Sequence, residues 1–231
     1  MNMNKMMGGM DMSKMMGGSE DSSNPMSGMM SKDPSKMWGQ FVQNMVPVIT
    51  RVVKFSKRLP GFTELCQEDQ IKLIKQGSFE VVLARYLPLF EPDGMYIPSM
   101  EMKIPRMMVQ MMPMGEFFEQ QFGFAHKFNK LHLNDQQMGL LTAIMIMNPD
   151  RQGLTNKRAV SKLAGLFIQS LYYTIKNDRP EQGDALFTQA ISHLPELQYI
   201  NDTHAKHLNS MKMSSNVEFP QLHEEVFDGQ I

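Results

Sequence analysis

The chain has 231 residues, 42% of them apolar, with 23 Lys and Arg against 24 Asp and Glu for a net charge of -1; that length holds one sizeable core. Near-neutral charge leaves no basic field that tracks phosphates, so direct nucleic-acid contact is not expected. A single cysteine, Cys66, excludes a disulfide framework and a cysteine-based zinc module, and no apolar run reaches the roughly 18 residues of a membrane span or reads as a signal peptide.

Residues 1–33 are low in complexity: Met3-Asn4-Lys5-Met6-Met7-Gly8-Gly9 recurs as Met12-Ser13-Lys14-Met15-Met16-Gly17-Gly18. Rich in Gly and Ser and lacking aromatic residues, this Met/Gly-rich segment buries too little to offset its ordering entropy, and it reads as a disordered tail. Clustered thioethers are also soft ligands for Cu(I), so a Cu(I)-binding Met-rich protein is the alternative of a different class. The absence of Cys and His from the segment speaks against it. Of the 26 methionines, twelve lie within residues 1–37 and eleven between Met95 and Met147, and the second group reads as flexible core filler.

From Lys36 to Arg58, Trp38, Phe41, Val42, Met45, Ile49, Val52 and Val53 recur at the helical period, with Pro47 expected to kink the helix or open its regular part. Pro60-Gly61 breaks the chain, and a second helix begins near Gln67. Its stretch Phe79–Leu87 is apolar on nearly every side, as in a helix buried through the middle of a domain with a layer on each side. Arg85 falls in that stretch and needs a partner if enclosed, either a ligand or an internal Glu or Asp.

After the turn Glu91-Pro92-Asp93-Gly94, the alternation through Tyr96, Ile97, Met100 and Met102 suits a small β-hairpin, and Met107 to Pro113 a short helix. Helical patterns follow over Gly115 to Leu131, from the cap Asn134 to Met147, over Asn156 to Asn177, Pro180 to His193 and Pro195 to Met213. A last amphipathic piece runs from Pro220 to Phe227. The sum is all-α with one hairpin, residues 34–231 forming one domain behind the tail.

No convergent set of acid, base and nucleophile, no phosphate loop and no metal-ligand spacing points to an enzyme. His204 and His207, three apart, hold a metal weakly at best, because no acidic or sulfur residue at helical spacing completes a closed site.

The string Val52-Val53-Lys54-Phe55-Ser56-Lys57-Arg58-Leu59-Pro60-Gly61-Phe62, with Leu65, Asp69-Gln70 and Leu73-Ile74-Lys75, resembles the signature of nuclear receptor ligand-binding domains. Phe122–Asn129 and Pro149-Asp150-Arg151-Gln152-Gly153-Leu154 resemble the peroxisome-proliferator-activated receptors. Val46–Lys57 and Phe79–Arg85 are similar to the Rev-erb, ecdysone-induced and retinoid-related orphan receptors. The resemblance spans about residues 37 to 228 and implies a three-layer antiparallel helical sandwich around an apolar pocket. No counterpart of the family's first helix is found before Lys36, and Cys66 replaces a serine that caps the next helix in many relatives, a loss of about 1 kcal/mol.

The resemblance also implies roles. Leu222-His223-Glu224-Glu225-Val226-Phe227 matches the family's activation helix, and Glu225, Lys57 and Lys75 are implied to clamp the ends of a coactivator or corepressor helix. A ligand pocket is implied at Met45, Ile49, Phe79, Arg85, His204 and Phe227, holding a small apolar, lipid-like molecule, or none in a constitutively active orphan domain. His204 also stands where haem-binding relatives place a ligand, which keeps a haem-based redox or gas sensor as an alternative, although the relatives' second ligand, a cysteine, has no counterpart. The helix opened by Pro195, with Leu197, Ile200 and Leu208, resembles the dimerisation helix for a retinoid X receptor type of partner, though such a face packs inward equally well. A nuclear location is implied.

Overall fold

The computed structural model of the chain describes residues 46–97, 101–111 and 115–214, with side chains as far as Lys206. The tail 1–33 and the piece Pro220 to Phe227 lie outside the described residues.

Helix α1 (46–56) buries Val48, Ile49 and Val52, and the Ser56 hydroxyl, enclosed at its end, donates to the Val52 carbonyl at 2.9 Å. The chain then turns at Gly61, whose φ of 80° favours glycine and whose missing Cβ leaves room for the Leu163 side chain. Phe62, fully buried, opens a single 3-10 turn, Phe62–Glu64. Helix α2 (Gln67–Tyr86) starts at Cys66 without a side-chain cap and is buried continuously from Gly77 to Ala84, the central helix expected from its apolar sequence.

Three short antiparallel strands follow, β1 (Phe90–Glu91), β2 (Gly94–Ile97) and β3 (Met102–Pro105), in the order β1-β2-β3. The expected hairpin is therefore part of a three-stranded sheet. The turn residues Pro92-Asp93 fold back tightly enough to pair Glu91 with Gly94, which adds a strand too short to show a periodicity. A Cβ at Gly94 would stand 2.3 Å from the Ile104 carbonyl oxygen, so this close strand pairing needs glycine.

The remaining described helices are α3 (Arg106–Gln110), α4 (Gly115–Phe128), α5 (Asp135–Ile146), α6 (Lys157–Asp178), α7 (Gly183–Ser192) and α8 (Leu194–Ser214). Asn134 opens α5 with a capping box, its side chain accepting from the Gln137 N–H at 2.9 Å while Gln137 accepts from the Asn134 N–H at 3.1 Å. Like α2, α5 is buried through its second half, and these two helices make the middle of the sandwich. Helix α2 packs on α5 and α8, α5 on α6, and α8 on α4 and α7. Among the described residues no helix is long and apolar enough to cross a membrane.

One stripe of α2 is polar and fixes the distant loop between α5 and α6. The Asp69 carboxylate accepts the backbone N–H groups of Thr155 and Asn156 at 2.7 and 2.9 Å. Lys72 donates to the Gly153 carbonyl, and Gln76 exchanges two hydrogen bonds with the Gln152 backbone. At the buried end Glu80 meets Arg151 at 2.8 Å, both side chains almost fully enclosed, and Arg151 also donates to the Met145 carbonyl. The buried ion pair foreseen for Arg85 thus belongs to Arg151, while Arg85 is exposed.

Burial raises the Asp69 pKa, but the two N–H donors outweigh it and leave the carboxyl below its ordinary value. For Glu80 the balance is reversed: burial, assisted by Asp202, pushes the carboxyl up to about 7 against the pull of Arg151. The stabilising contribution of a raised group is complete below its unfolded pKa and is lost as pH rises through the folded value. Between pH 4.5 and about 7 Glu80 should therefore cost the fold on the order of 3 kcal/mol. His193, held below its ordinary pKa by burial, acts in the opposite direction. Urea unfolding of Glu80→Gln and the parent across this range isolates the Glu80 part: the parent should lose stability relative to the variant as pH rises, and parallel profiles refute the assignment. Asp69→Ala, which removes the acceptor of two part-buried backbone N–H groups, should lower stability by about 1 to 2 kcal/mol at pH 7 in the same assay.

Candidate functional site

The interior between α2, α4 and α8 is lined by rings. Phe79 on α2 is stacked face to face with His204 on α8, centroids 3.7 Å apart and planes 11° from parallel. Phe117 on α4 closes the group at 5.6 Å from His204 and 6.1 Å from Phe79. His204 is 3% exposed and Phe79 4%. Three separate elements thus converge on one enclosed aromatic group, and the stacked imidazole and phenyl faces fill the space between them. Ile49, fully buried on α1, belongs to the same core.

Of the residues expected to line a pocket, Ile49, Phe79 and His204 are therefore interior. Met45 and Phe227 lie outside the described residues. Arg85 is corrected: it stands at the surface because α2 ends at Tyr86 and its last turn emerges from the core. Phe117 was not singled out from sequence; the doublet Phe117-Phe118 at the start of an amphipathic helix was its only signal.

A buried polar group adjoins the rings. Asn201, one turn before His204 on α8, donates to the Gln76 carbonyl at 3.3 Å. Asn201 Oδ1, Glu80 Oε1 and Arg151 Nε are enclosed with no hydrogen-bond partner among the described residues. Helix α8 is thus seated on α2 by apolar residues and by an incompletely satisfied polar cluster.

The opposite face of α2 presents a different surface. Ile71 is 47% exposed, Ile74 is half-buried, and Lys75 follows Ile71 at one helical turn. Lys57, just past the end of α1, is exposed. Ile71 is a residue the sequence reading passed over; an apolar side chain off the buried stripe of a helix was the available signal. Glu225 lies outside the described residues.

The expected dimerisation residues Leu197 and Ile200 are 0% and 2% exposed and pack into this chain's own core, a correction to their placement at a dimer surface. They share the inner face of α8 with Asn201 and His204, whereas Tyr199 is the exposed residue beside them. The Leu208 side chain lies outside the described residues. An open cleft of about 320 Å³ between α1, α2 and α5 is lined by Arg51 and Arg85 together with Val52, Phe55, Val81 and Met138. Among the described residues no group of three or more His, Cys, Asp or Glu is placed to hold a metal ion.

His204 has Phe79 against its ring face, and the only cysteine, Cys66, is exposed at the start of α2, thirteen residues before Phe79 and so about 20 Å along the helix.

A family model described as the ligand-binding domain of nuclear hormone receptor matches residues 27–214. The chain is 32% identical over 194 residues to "Nuclear receptor subfamily 1 group D member 2" of Rattus norvegicus, covering 82% of this chain and 33% of the relative. It is 32% identical over 178 residues to "Nuclear hormone receptor E75" of Metapenaeus ensis, covering 76% and 29%. To "Nuclear receptor ROR-beta" of Mus musculus it is 30% identical over 203 residues, covering 86% and 43%. The chain thus spans less than half the length of each of these curated relatives.

Because the ring group is close-packed, Phe79→Ala should lower stability by about 3 to 5 kcal/mol in urea unfolding. A loss under about 1 kcal/mol would mean that the rings are not part of the packed core.

Proposed function

The chain belongs to the family of nuclear hormone receptor ligand-binding domains, and from that premise we propose that it is the ligand-regulated module of a transcription factor, recruiting helical coactivator or corepressor motifs in the nucleus. The matched family is one of transcription factors rather than enzymes. The observation that carries the reading is the exposed Ile71, with Ile74 beside it and Lys75 and Lys57 near it. An exposed apolar strip with cations at its margin suits an amphipathic helix, whose apolar side covers Ile71 while its C-terminal carbonyls face the lysines. Glu225, on the final amphipathic piece, takes the other end in this reading.

The ligand in this reading is small, apolar and lipid-like, bound beside Ile49, Phe79 and His204. Met108, half-buried against the core, is a side chain that adapts to such an occupant. The stacked rings of Phe79, Phe117 and His204 also favour a second reading, in which the domain's own side chains fill this space and it recruits its partner without ligand. A retinoid X receptor type of partner would meet the outer face of α8, where Tyr199 is exposed, rather than Leu197 or Ile200.

Fluorescence anisotropy with a labelled coactivator-type helical peptide tests the recruiting surface. Ile71→Asp should weaken binding at least tenfold, about 1.4 kcal/mol, with an unchanged unfolding midpoint. Unaltered affinity in Ile71→Asp and in Lys57→Ala refutes the surface. Native mass spectrometry of the same protein separates the two readings by a bound lipid mass or its absence.

A further inference from the structure

The cleft between α1, α2 and α5 lies apart from both the ring group and the Ile71 strip. Its floor is apolar, with Val52 and Val81 buried and Phe55 and Met138 half-buried. Two arginines also line the cleft, Arg51 from α1 and Arg85 from α2, both exposed, and neither forms an ion pair among the described residues. Asp135 lines the same cleft without reaching either arginine within ion-pair distance. Two like charges lining a cleft with a partly open apolar floor are an unfavourable combination that an amphipathic acidic occupant relieves.

We propose that this occupant is the chain's own segment from Met15 to Met30, with the adjacent carboxylates Glu20 and Asp21 meeting Arg51 and Arg85 and the flanking methionines covering the floor. Three observations single it out. Glu20-Asp21 is the one adjacent acid pair before residue 46, and Met15, Met16 and Met26 flank it. Methionine side chains, unbranched and polarizable, fill irregular apolar clefts with little demand on shape. The segment is also tethered: Arg51 lies five residues into the described part of α1, and the 25 residues from Asp21 to Val46 span up to about 80 Å when extended, ample to reach it. Tethering makes the contact intramolecular, with an effective concentration no untethered competitor of similar chemistry matches at ordinary dilution. The repeat-rich tail, expected from composition to be disordered, thereby acquires a partner surface on its own domain.

Hydrogen exchange of the full chain tests this, with a synthetic peptide of residues 10–35 as the free reference. Amides from Met15 to Met30 should exchange at least tenfold more slowly in the chain than in the peptide, independently of protein concentration. Both Glu20→Lys/Asp21→Lys and Arg51→Glu/Arg85→Glu should abolish that protection, and combining the two sets should restore it. Because docking that protects the tail also stabilises the folded state, each charge reversal should lower the unfolding midpoint modestly and the combined variant should restore it, while an unchanged far-UV circular dichroism spectrum serves as the folding control. Exchange at the peptide's rate in the parent overturns the proposal, as does protection indifferent to both charge reversals. Protection that grows with protein concentration assigns the cleft to a second copy and overturns it as well.

Discussion

A polar stripe along the most buried helix governs how this domain is put together. Asp69, Lys72, Gln76 and Glu80 recur at helical spacing on one side of α2, and each holds part of the loop between α5 and α6. Asp69 and Glu80 are enclosed on this helix, where a polar group without a partner costs more than a bond contributes, while Lys72 and Gln76 lie nearer the surface. The loop supplies the partners as backbone N–H and carbonyl groups and as one guanidinium. In doing so it fixes α5 and α6 against α2, and the same stripe offers the Gln76 carbonyl to Asn201 and so seats α8.

The two faces of α2 then divide the work. The stripe and the neighbouring Phe79 look inward to the loop, to α8 and to the rings, and the opposite side carries Ile71 and Lys75 outward. In the proposed function this one helix connects the ligand-facing interior with the surface that receives a partner helix. The seat of α8 combines apolar packing at Leu197 and Ile200 with a polar cluster in which three enclosed atoms have no hydrogen-bond partner among the described residues. An element held partly by such a cluster is easier to displace than one held by close apolar packing alone.

Much of this was legible in the sequence. Gly61 and Phe62 in the signature string announce a turn and a buried ring, and Asn134 announces a helix start; the structure has all three where the residues place them. The apolar run of α2 from Phe79 onward gives its central position, because a stretch apolar on nearly every side needs a layer packed on each. What sequence could not give is pairing at a distance. Asp69 and Arg151 stand in two separate resembling strings, yet nothing in either string says that both lie on one stripe of α2 contacts. Arg85 sat in the apolar run as conspicuously as Glu80, and only the emergence of the last turn of α2 decides that Arg85 faces water and Glu80 the core. Leu197 and Ile200 show the same gap, since an amphipathic helix reveals that one side is buried but not by which molecule.

The length of chain between the two halves of the α2 latch has a kinetic meaning. Thr155 and Asn156 are 86 and 87 residues from Asp69, so the bonds between them close a loop of that size. Closing it costs about 4 kcal/mol of chain entropy beyond a constant, whereas the capping box of α5 and the turn between β1 and β2 close almost for free. Local pieces such as the sheet and the end of α4 with its following turn therefore come together first, and the latch engages only once they have shortened the effective loop. Contacts made that late do little to hasten folding. Their strength appears instead as the slowness with which the finished domain opens, which makes the Asp69 and Arg151 contacts determinants of its lifetime.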